Sequence, residues 1–228
     1  MSSTPITREQ WKLMAVLSLF WGTLFGALGI FFPYYSLYLK EDLGLTGQQV
    51  GTAMGVFHLI GLIGQPAWGY IADRTGSRKR VLVILSTGMA LGFVAFWFVE
   101  KYAMLLLVSA GFAAFSTSLI PQGMALGLGL LYRSNNSHFE WVRAFGSVGF
   151  LVTCFGFPYL LDAMKTESGG SNMGLLFPCS AAIILLTTVT VFFIPNQEAI
   201  REKAEPGSWR RLFADSRFIR FFIYVFLA

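Results

Sequence analysis

From Gly69 to Arg80 the chain reads GYIADRTGSRKR, a charged turn that contains two glycines. Apolar sequence flanks it on both sides: residues 43–72 contain no Asp, Glu, Lys or Arg and a single histidine, His58, and residues 81–99 carry no charge. A helix needs about 20 apolar residues to cross the hydrocarbon core of a bilayer. Each cation at the bilayer centre costs about 2.5 to 3.5 kcal/mol. The stretch therefore predicts two membrane-spanning helices joined by a basic turn that stays in the cytoplasm.

Two residues of this turn have predictable local roles. Gly76 is expected to adopt the left-handed backbone conformation that allows a sharp reversal after a helix. Asp73 lies at the end of the preceding helix beside the cations, where it can form an ion pair or cap a helix. On chemistry alone, the same description fits a cytoplasmic loop of any multi-span protein.

The order of residues in the turn is more specific than their composition. The pattern Gly-x-x-x-Asp-Arg-x-Gly-x-Arg-Lys resembles the signature loop between the second and third helices of the major facilitator superfamily of transporters. It is formed here by Gly69, Asp73, Arg74, Gly76, Arg78 and Lys79. The dipeptide Gln65-Pro66 upstream adds to the resemblance. In that superfamily the loop is a conformational latch on the cytoplasmic side, and the resemblance implies the same role for these six residues.

The composition indicates a membrane protein. The chain has 228 residues, of which 55% are hydrophobic and 13% charged, whereas soluble domains have about 25% charged residues. The net charge of +5 would also fit a nucleic-acid-binding protein, but such a protein needs its cations on a soluble face. We therefore expect no nucleic-acid partner. The two cysteines, Cys154 and Cys179, lie in apolar runs without metal-ligand spacing, so neither a metal site nor a disulfide is predicted.

The charge-free intervals mark six predicted spans. They lie within residues 13–39, 43–72, 81–99, 102–132, 144–161 and 168–197. The predicted organisation is a cytoplasmic tail (1–12), a six-span bundle (13–194), a cytoplasmic loop with an interfacial helix from Ser208 (195–217), and the start of a seventh span (218–228). Pro33, Tyr34 and Tyr35, near the outer end of the first span, could form a gate or an interfacial aromatic anchor, and the anchor is the favoured interpretation for the two tyrosines.

The distribution of cations predicts the orientation. Fourteen of the 17 Lys and Arg residues fall on one side of these spans, and only Lys40, Lys101 and Lys165 fall on the other. The positive-inside rule then places the N-terminus and the loop after the sixth span in the cytoplasm. The expected location is the cytoplasmic (inner) cell membrane.

Glycines occur four residues apart in three of the spans. The pairs are Gly22 with Gly26, Gly51 with Gly55, and Gly123 with Gly127. Small residues at this spacing let helices approach closely in lipid, so each pair is predicted to be a packing site.

Polar side chains inside the hydrocarbon zone are costly, and they often face a cavity. His58, Gln65 and Gln122 lie at such depths. Each is predicted either to line a pore or to be satisfied by a neighbouring helix. Gln65 is the weaker pore candidate, because the superfamily resemblance places it near the cytoplasmic end.

Arg143 permits two interpretations. It can be a positive-inside anchor, with Glu140 three residues earlier on the same helical face. However, residues 138–150 resemble the start of the fifth helix in one branch of the superfamily, which contains lactose permease and related oligosaccharide, phenylpropionate and nucleoside proton symporters. There an arginine precedes Phe/Trp-Gly-x-x-Gly and, in the sugar symporters, binds substrate. The resemblance implies that Arg143 binds substrate, and a guanidinium offers a fixed fork of donors for this.

The same branch suggests two further site residues and one departure. Counted back from Phe31-Phe32-Pro33, Phe25 and Gly29 match its cavity-lining positions. The acidic partner that the sugar symporters carry on the fourth helix would fall at Met124, which cannot pair with a cation. The resemblance therefore favours an anionic or aromatic substrate over a lactose-like one.

The resemblance extends over nearly the whole chain but matches only the first half of a twelve-span family member. The implied partners are a second six-span half, protons, the lipid bilayer and a small-molecule substrate. Because no carboxylate lies deep in these spans, the proton sites are expected in the second half. No cofactor is expected, and the proton gradient would supply the energy.

We find no nucleophile–base constellation, Gly-x-Ser-x-Gly motif or phosphate loop, so an enzyme is not expected. The predicted fold is an all-α membrane bundle. The predicted function is secondary active transport of a small organic solute, namely a sugar, a nucleoside or an aromatic or organic acid, with protons by rocker-switch alternating access. The alternative is a non-transporting truncated half that acts as a membrane assembly module.

Overall fold

The computed structural model describes residues 7–134, 138–164, 173–196 and 216–227. Over these ranges the regular structure is helical, and there are no strands. The helices are α1 (Arg8–Glu41), α2 (Gly47–Thr75), α3 (Arg78–Trp97), α4 (Tyr102–Arg133), α5 (Phe139–Ala163), α6 (Leu176–Phe193, after the 3-10 turn Met173–Leu175) and α7 (Ser216–Leu227). The first six, with the 3-10 turn counted as part of α6, are long and apolar enough to cross a membrane. This confirms the predicted all-α bundle of six spans.

Capping explains why α1 and α2 begin where they do. The Thr7 hydroxyl accepts a hydrogen bond from the Gln10 backbone N–H, and the Gln10 side chain accepts one from the Thr7 N–H. Thr46 and Gln49 form the same reciprocal pair at the start of α2. Each pair satisfies two backbone donors that a helix start leaves free. The first helix therefore begins at Arg8, inside the segment predicted to be a polar tail.

The last part of the chain is described only in part. Helix α7 covers Ser216–Leu227 and so includes most of the predicted start of a seventh span. The interfacial helix predicted from Ser208 lies outside the described residues.

The six helices form two sets of three in chain order, α1–α3 and α4–α6, and each set packs against the other. Helix α1 packs against α5 and α6, and α4 packs against α2 and α3. Helices α3 and α6 also contact each other. The first helix of each set thus packs on the second and third helices of the other, a repeat of the kind found within transporter halves. Helices α2 and α5 are the least buried of the six, so their outer faces remain open in this chain.

Hydrogen bonds between helix ends show which ends lie together. Gln10, at the start of α1, donates from Nε2 to the Ser134 carbonyl after α4 (2.6 Å). Lys79, at the start of α3, donates from Nζ to the Phe192 carbonyl at the end of α6 (2.7 Å). At the opposite end, the Tyr102 hydroxyl donates to the Gln49 carbonyl (3.3 Å). The helices therefore alternate in direction, as six successive crossings require.

A cluster of aromatic rings fills the region where α1, α3 and α4 meet. Phe31 of α1 contacts Phe93 and Phe112, with ring centroids 5.3 and 5.0 Å away. Tyr35 stacks on Phe31 at 4.6 Å, and its hydroxyl is hydrogen-bonded to Ser109 Oγ (3.1 Å). Only 5% of Tyr35 is exposed. The prediction of an interfacial anchor at Tyr35 was wrong, because this side chain faces the core of the bundle.

Two of the three glycine pairs are packing sites. A Cβ atom on Gly149 of α5 would collide with the backbone of Gly22, and one on Gly26 would lie 3.4 Å from Thr153 Cγ2. On α4, a Cβ on Gly123 would lie 2.9 Å from the Phe20 ring, and one on Gly127 would lie 3.1 Å from the Phe139 ring. These contacts confirm the prediction for Gly22–Gly26 and Gly123–Gly127.

The third pair behaves differently. A Cβ atom added at Gly51 or Gly55 would meet no atom within 4 Å in the described part of the chain. Helix α2 instead meets α4 further along, at Gly61 beside Thr117 and at Gly64 beside Ala114. The packing prediction for Gly51 and Gly55 was therefore wrong within this bundle.

Candidate functional site

The turn between α2 and α3 has the predicted backbone geometry. Gly76 ends α2 with a φ of +66°, in the left-handed region, and its N–H donates to the Ala72 carbonyl (3.1 Å). Ser77 then begins α3 by accepting a hydrogen bond from the Arg80 N–H (3.4 Å). The turn is short because one glycine ends a helix and the next residue caps another.

Asp73 and Arg78 form an ion pair across this turn, with Oδ1 and Nη2 3.3 Å apart. Arg78 also donates from Nη1 to the Ala125 carbonyl of α4 (3.4 Å), and Arg74 donates from Nη1 to the Tyr70 hydroxyl (3.3 Å). Lys79, through the Phe192 carbonyl, bonds the turn to the last turn of α6. Carbonyls at a helix C-terminus lack intrahelical donors and attract cations. The basic residues therefore hold the turn against α4 and against the end of α6.

Gly69, the first residue of the predicted latch, lies one helical turn before Asp73. A Cβ atom there would lie 3.8 Å from Nε2 of Gln122. Only 7% of Gln122 is exposed. The amide of Gln122 is thus buried between α4 and α2, and its predicted substrate-binding role stays a prediction.

Arg143 lies early in α5, and its guanidinium is enclosed by aromatic rings of α1. Its Cζ atom lies 4.2 Å from the centroid of the Phe25 ring and 4.9 Å from that of Trp21. Gly146 leaves the space for this arrangement, because a Cβ there would come within 3.2 Å of both Arg143 Nη1 and the Phe25 ring. The structure thus brings together two residues that the sequence predicted for the site, Arg143 and Phe25.

The depth of this contact follows from the position of Phe25 in the first span. Phe25 is next to Gly26, the midpoint of the charge-free interval 13–39. The close contact of Gly22 with Gly149 fixes how far α5 is shifted along α1. The half-buried guanidinium therefore lies near mid-span, although Arg143 is close to the start of its own helix.

Arg143 has no carboxylate partner among the residues that the structure describes. The ion pairs found there are Lys12–Glu9 and Arg78–Asp73. Glu140, the partner considered for Arg143 on the same helical face, is exposed and does not pair with it. Ring faces attract cations through their quadrupole but do not neutralise them. The site therefore retains its positive charge.

Sequence reasoning missed Trp21. Its side chain is fully buried, its ring lies edge-on to those of Phe20 (5.4 Å) and Phe139 (6.3 Å), and its indole N–H has no hydrogen-bond partner in the described ranges. Its position one helical turn before Phe25, on the same face of α1, was a signal that could have suggested it.

A cavity of about 470 Å³ lies between α1, α2 and α4. Its walls are mainly apolar and include four phenylalanine rings; the lining residues are Leu28, Phe31, Phe32, Phe57, His58, Gly61, Leu62, Gln65, Pro66, Phe112, Ser116, Thr117 and Ile120. Of the three polar residues considered for a pore, the structure places His58 and Gln65 on this wall.

The polar groups of the cavity are few. His58 donates from Nδ1 to the Met54 carbonyl (2.8 Å), which leaves Nε2 as the second polar atom of the ring. Ser116 is 9% exposed, and its hydroxyl has no partner among the described residues. Thr117 donates to the Ala113 carbonyl (2.7 Å) within α4. The cavity thus offers a mainly aromatic surface whose polar groups are the imidazole of His58, the amide of Gln65 and the hydroxyls of Ser116 and Thr117.

Gly29 lies in the contact between α1 and α5. A Cβ atom on it would collide with Thr153 Oγ1 and lie 2.5 Å from the Phe150 carbonyl oxygen. The Thr153 hydroxyl also donates to the Gly26 carbonyl (2.8 Å). These contacts give Gly29 a packing role, and its predicted place in the substrate site stays a prediction.

A bundle of six apolar helices in two interleaved sets defines a multi-pass membrane protein. The model of the family described as "MFS_1 like family" matches residues 13–228. The chain belongs to this family, within the major facilitator superfamily.

Individual relatives agree with this assignment. "Uncharacterized transporter YwbF" of Bacillus subtilis (strain 168) is 28% identical over 212 residues, which are 93% of this chain and 51% of that protein. "Probable 3-phenylpropionic acid transporter" of Escherichia coli (strain K12) is 32% identical over 172 residues, with 70% and 44% covered. The solved structure of the nucleoside transporter NupG matches with a TM-score of 0.75 at 17% identity, over 94% of this chain and 54% of that one. The chain thus spans about half the length of these relatives.

Proposed function

We propose that this chain forms the first six-span half of a secondary active transporter for a small organic solute. The solute would bind between this half and a second one, and the two halves would rock against each other to expose the site alternately to each side of the membrane. Candidate solutes are sugars, nucleosides and aromatic or organic acids. The relatives named for 3-phenylpropionic acid and for nucleosides support this range.

The position of Arg143 is the observation that carries the proposal. A cation near mid-span is costly in lipid, and such residues usually face the bundle interior or a water-filled path. Arg143 contacts ring faces of Phe25 and Trp21 and has no carboxylate partner within the described ranges. A solute with an acid group would gain from binding this guanidinium, which no carboxylate of the described residues neutralises. Phe25 would form the wall beside it, and His58 would belong to the same solute path.

The turn from Gly69 to Lys79 would act as the latch of this rocking motion. Its ion pair and its hydrogen bonds to α4 and α6 are the kind of contacts that can exist in one state and break in another. We further propose that the turn and the N-terminus lie in the cytoplasm, that the membrane is the inner cell membrane, and that transport is coupled to protons. The separation of 14 cations from three supports the orientation. Because the six charge-free intervals contain no Asp or Glu, carboxylates that carry protons would belong to the second half.

Uptake by the complete protein tests the proposal. Purified protein in proteoliposomes is given an imposed pH gradient and a labelled panel of sugars, nucleosides and aromatic acids. We expect accumulation of at least one solute, and its loss when a protonophore collapses the gradient. Accumulation that ignores the protonophore would contradict proton coupling alone. Inserted, folded protein that accumulates none of the panel would favour the alternative, a non-transporting assembly module.

Labelling tests the orientation separately. A single cysteine at Ser77 in an otherwise cysteine-free protein should react with a membrane-impermeant reagent only from the cytoplasmic side. A matched cysteine at Gly44, between α1 and α2, should react only from outside. The reverse pattern would contradict the proposed topology.

A further inference from the structure

One face of α1 connects the cation of the site to the aromatic cavity. Phe25, Leu28 and Phe32 share this face, since they follow each other at i, i+3 and i+7. Phe25 contacts the guanidinium of Arg143, whereas Leu28 and Phe32 line the cavity between α1, α2 and α4. Seven helical residues correspond to about 10 Å along the axis. The face therefore joins a cationic end to an aromatic end over the length of a small organic molecule.

The cationic end contains hydrogen-bond donors only. Arg143 has five N–H groups and no acceptor. In the parts of the chain that the structure describes, its guanidinium contacts the ring faces of Phe25 and Trp21. A carboxylate supplies acceptor oxygens in the plane that a guanidinium fits, and it cancels a charge that is costly in a span.

The aromatic end has the opposite character. Rings of Phe31, Phe32, Phe57 and Phe112 form its walls, and its polar groups are few: the imidazole of His58, the amide of Gln65 and the hydroxyls of Ser116 and Thr117. A sugar exposes hydroxyls around its whole ring, and each hydroxyl both donates and accepts. Burying such a ring here would leave several of its hydroxyls unpaired, at a cost for each. An apolar ring would instead replace water on an apolar surface.

We propose that the solute is an amphipathic organic monoanion. Its acid group binds Arg143, and its apolar, ring-sized body occupies the cavity between α1, α2 and α4. This inference rests on the proposed function, because it names the class of solute that the transporter site takes.

Binding of matched probes to the complete protein in lipid nanodiscs tests the solute class. Calorimetry gives dissociation constants for 4-phenylbutyrate, its neutral amide 4-phenylbutyramide, butyrate, lactose and uridine. We expect 4-phenylbutyrate to bind tightest. The amide lacks the charge and butyrate lacks the ring, so each should bind about 10- to 100-fold more weakly. Lactose and uridine should bind no better than the amide.

Two variants assign each end of the probe to its residues. Arg143→Gln should bring the acid-to-amide affinity ratio close to one, since it keeps hydrogen-bonding capacity but removes the charge. Phe57→Ala should weaken 4-phenylbutyrate several-fold and leave butyrate unchanged. Lys12→Gln, which removes an exposed cation at the start of α1, is the control. It should change neither the acid-to-amide affinity ratio nor the ratio of 4-phenylbutyrate affinity to butyrate affinity. If a variant does not fold, the acid, amide and butyrate comparison on the unaltered protein still decides.

The outcomes separate this inference from the function on which it rests. Equal affinity for 4-phenylbutyrate and its amide, or tighter binding of lactose or uridine, would overturn the monoanion assignment and leave a transporter of another solute class. If folded protein bound none of the five probes, the monoanion assignment would be overturned. If it also accumulated nothing from the uptake panel, the proposed function would fail as well.

Discussion

Basic side chains occur in two regions of the molecule that the proposed function uses, and their surroundings differ. In the contact between α1 and α5, Arg143 lies near mid-span against the rings of Phe25 and Trp21, without a carboxylate partner among the described residues. In the turn between α2 and α3, Arg78 pairs with Asp73, and Lys79 bonds a backbone carbonyl at the end of α6.

The comparison shows that the same type of residue serves different purposes at different depths. At the membrane surface, water and helix ends satisfy a cation, so the turn can use its charges to hold helices together. At mid-span the described residues offer Arg143 no carboxylate, and a cation there remains available for a ligand. Substitution of Arg143 should therefore change solute affinity, whereas substitution of Asp73 in the turn should change the rate of turnover.

The largest effect is expected from Gly149→Val, which breaks the contact between α1 and α5. A side chain at this position would collide with the backbone of Gly22, which cannot rotate away. We expect a loss of stability at or above the upper end of the about 1–3 kcal/mol typical of overpacking. Thermal unfolding of the complete protein in detergent measures it. Gly51→Val is the matched control, since a Cβ atom added there would meet no atom of another described segment within 4 Å, and it should change stability by about 0.5 kcal/mol or less. Equal melting temperatures for the two variants would contradict the packing.

Arg143→Ala should remove the binding function of the same region while the protein still inserts. A charge-assisted hydrogen bond contributes about 1.5–3 kcal/mol, so affinity for the transported solute should fall about 10- to 150-fold. Equilibrium binding to purified protein measures this. Arg143→Lys keeps the charge but loses the planar fork and should give an intermediate affinity. An unchanged dissociation constant in Arg143→Ala would return this residue to the role of a surface anchor.

Gly76→Ala tests the backbone of the turn between α2 and α3. Its φ of +66° is strained for a residue with a Cβ atom, so the variant should lose about 1–2 kcal/mol of stability. Thermal unfolding again gives the value. Gly47→Ala, at an open position at the start of α2, should be neutral or slightly stabilising. A neutral result for Gly76→Ala would mean that the turn can adopt another geometry without cost.

Asp73→Asn should have the smallest effect on stability, because the carboxylate of its ion pair is 71% exposed and exposed pairs contribute about 0.2–1 kcal/mol. If the turn is a latch, turnover should slow by a few-fold while solute affinity changes little. Transport kinetics separate the two. Glu9→Gln breaks a similar exposed pair with Lys12 outside the turn and should leave turnover unchanged. Weakened binding with normal turnover would rule out the latch.

Much of the fold could be predicted from the sequence, because lipid imposes simple constraints. Charged side chains and free backbone groups are excluded from hydrocarbon, so the charge-free intervals predicted the six helices. The left-handed Gly76 was also predictable, since a turn of this kind depends on a few neighbouring residues. The glycine spacing was less informative: Gly22 and Gly26 meet α5, whereas a Cβ atom added at Gly51 or Gly55 would meet nothing within 4 Å in the part of the chain that the structure describes.

For the site, too, the sequence predicted some features and missed others. Arg143 and Phe25 were named from a resemblance to known helices, but the contact between them could not be read from the sequence. Trp21 looked like one more apolar residue, and Tyr35 like an interfacial anchor, until the neighbouring helices placed both in the interior.

The sequence by itself determined the six spans, the positions of the charged segments between them and the form of the turn at Gly76. These features depend on local chain chemistry and on the high cost of placing charge in lipid. Only the tertiary structure decided that Arg143, near the start of its own helix, lies at the middle of the first span. That depth depends on the register of α5 against α1, which the contact of Gly149 with Gly22 sets across more than a hundred residues of chain.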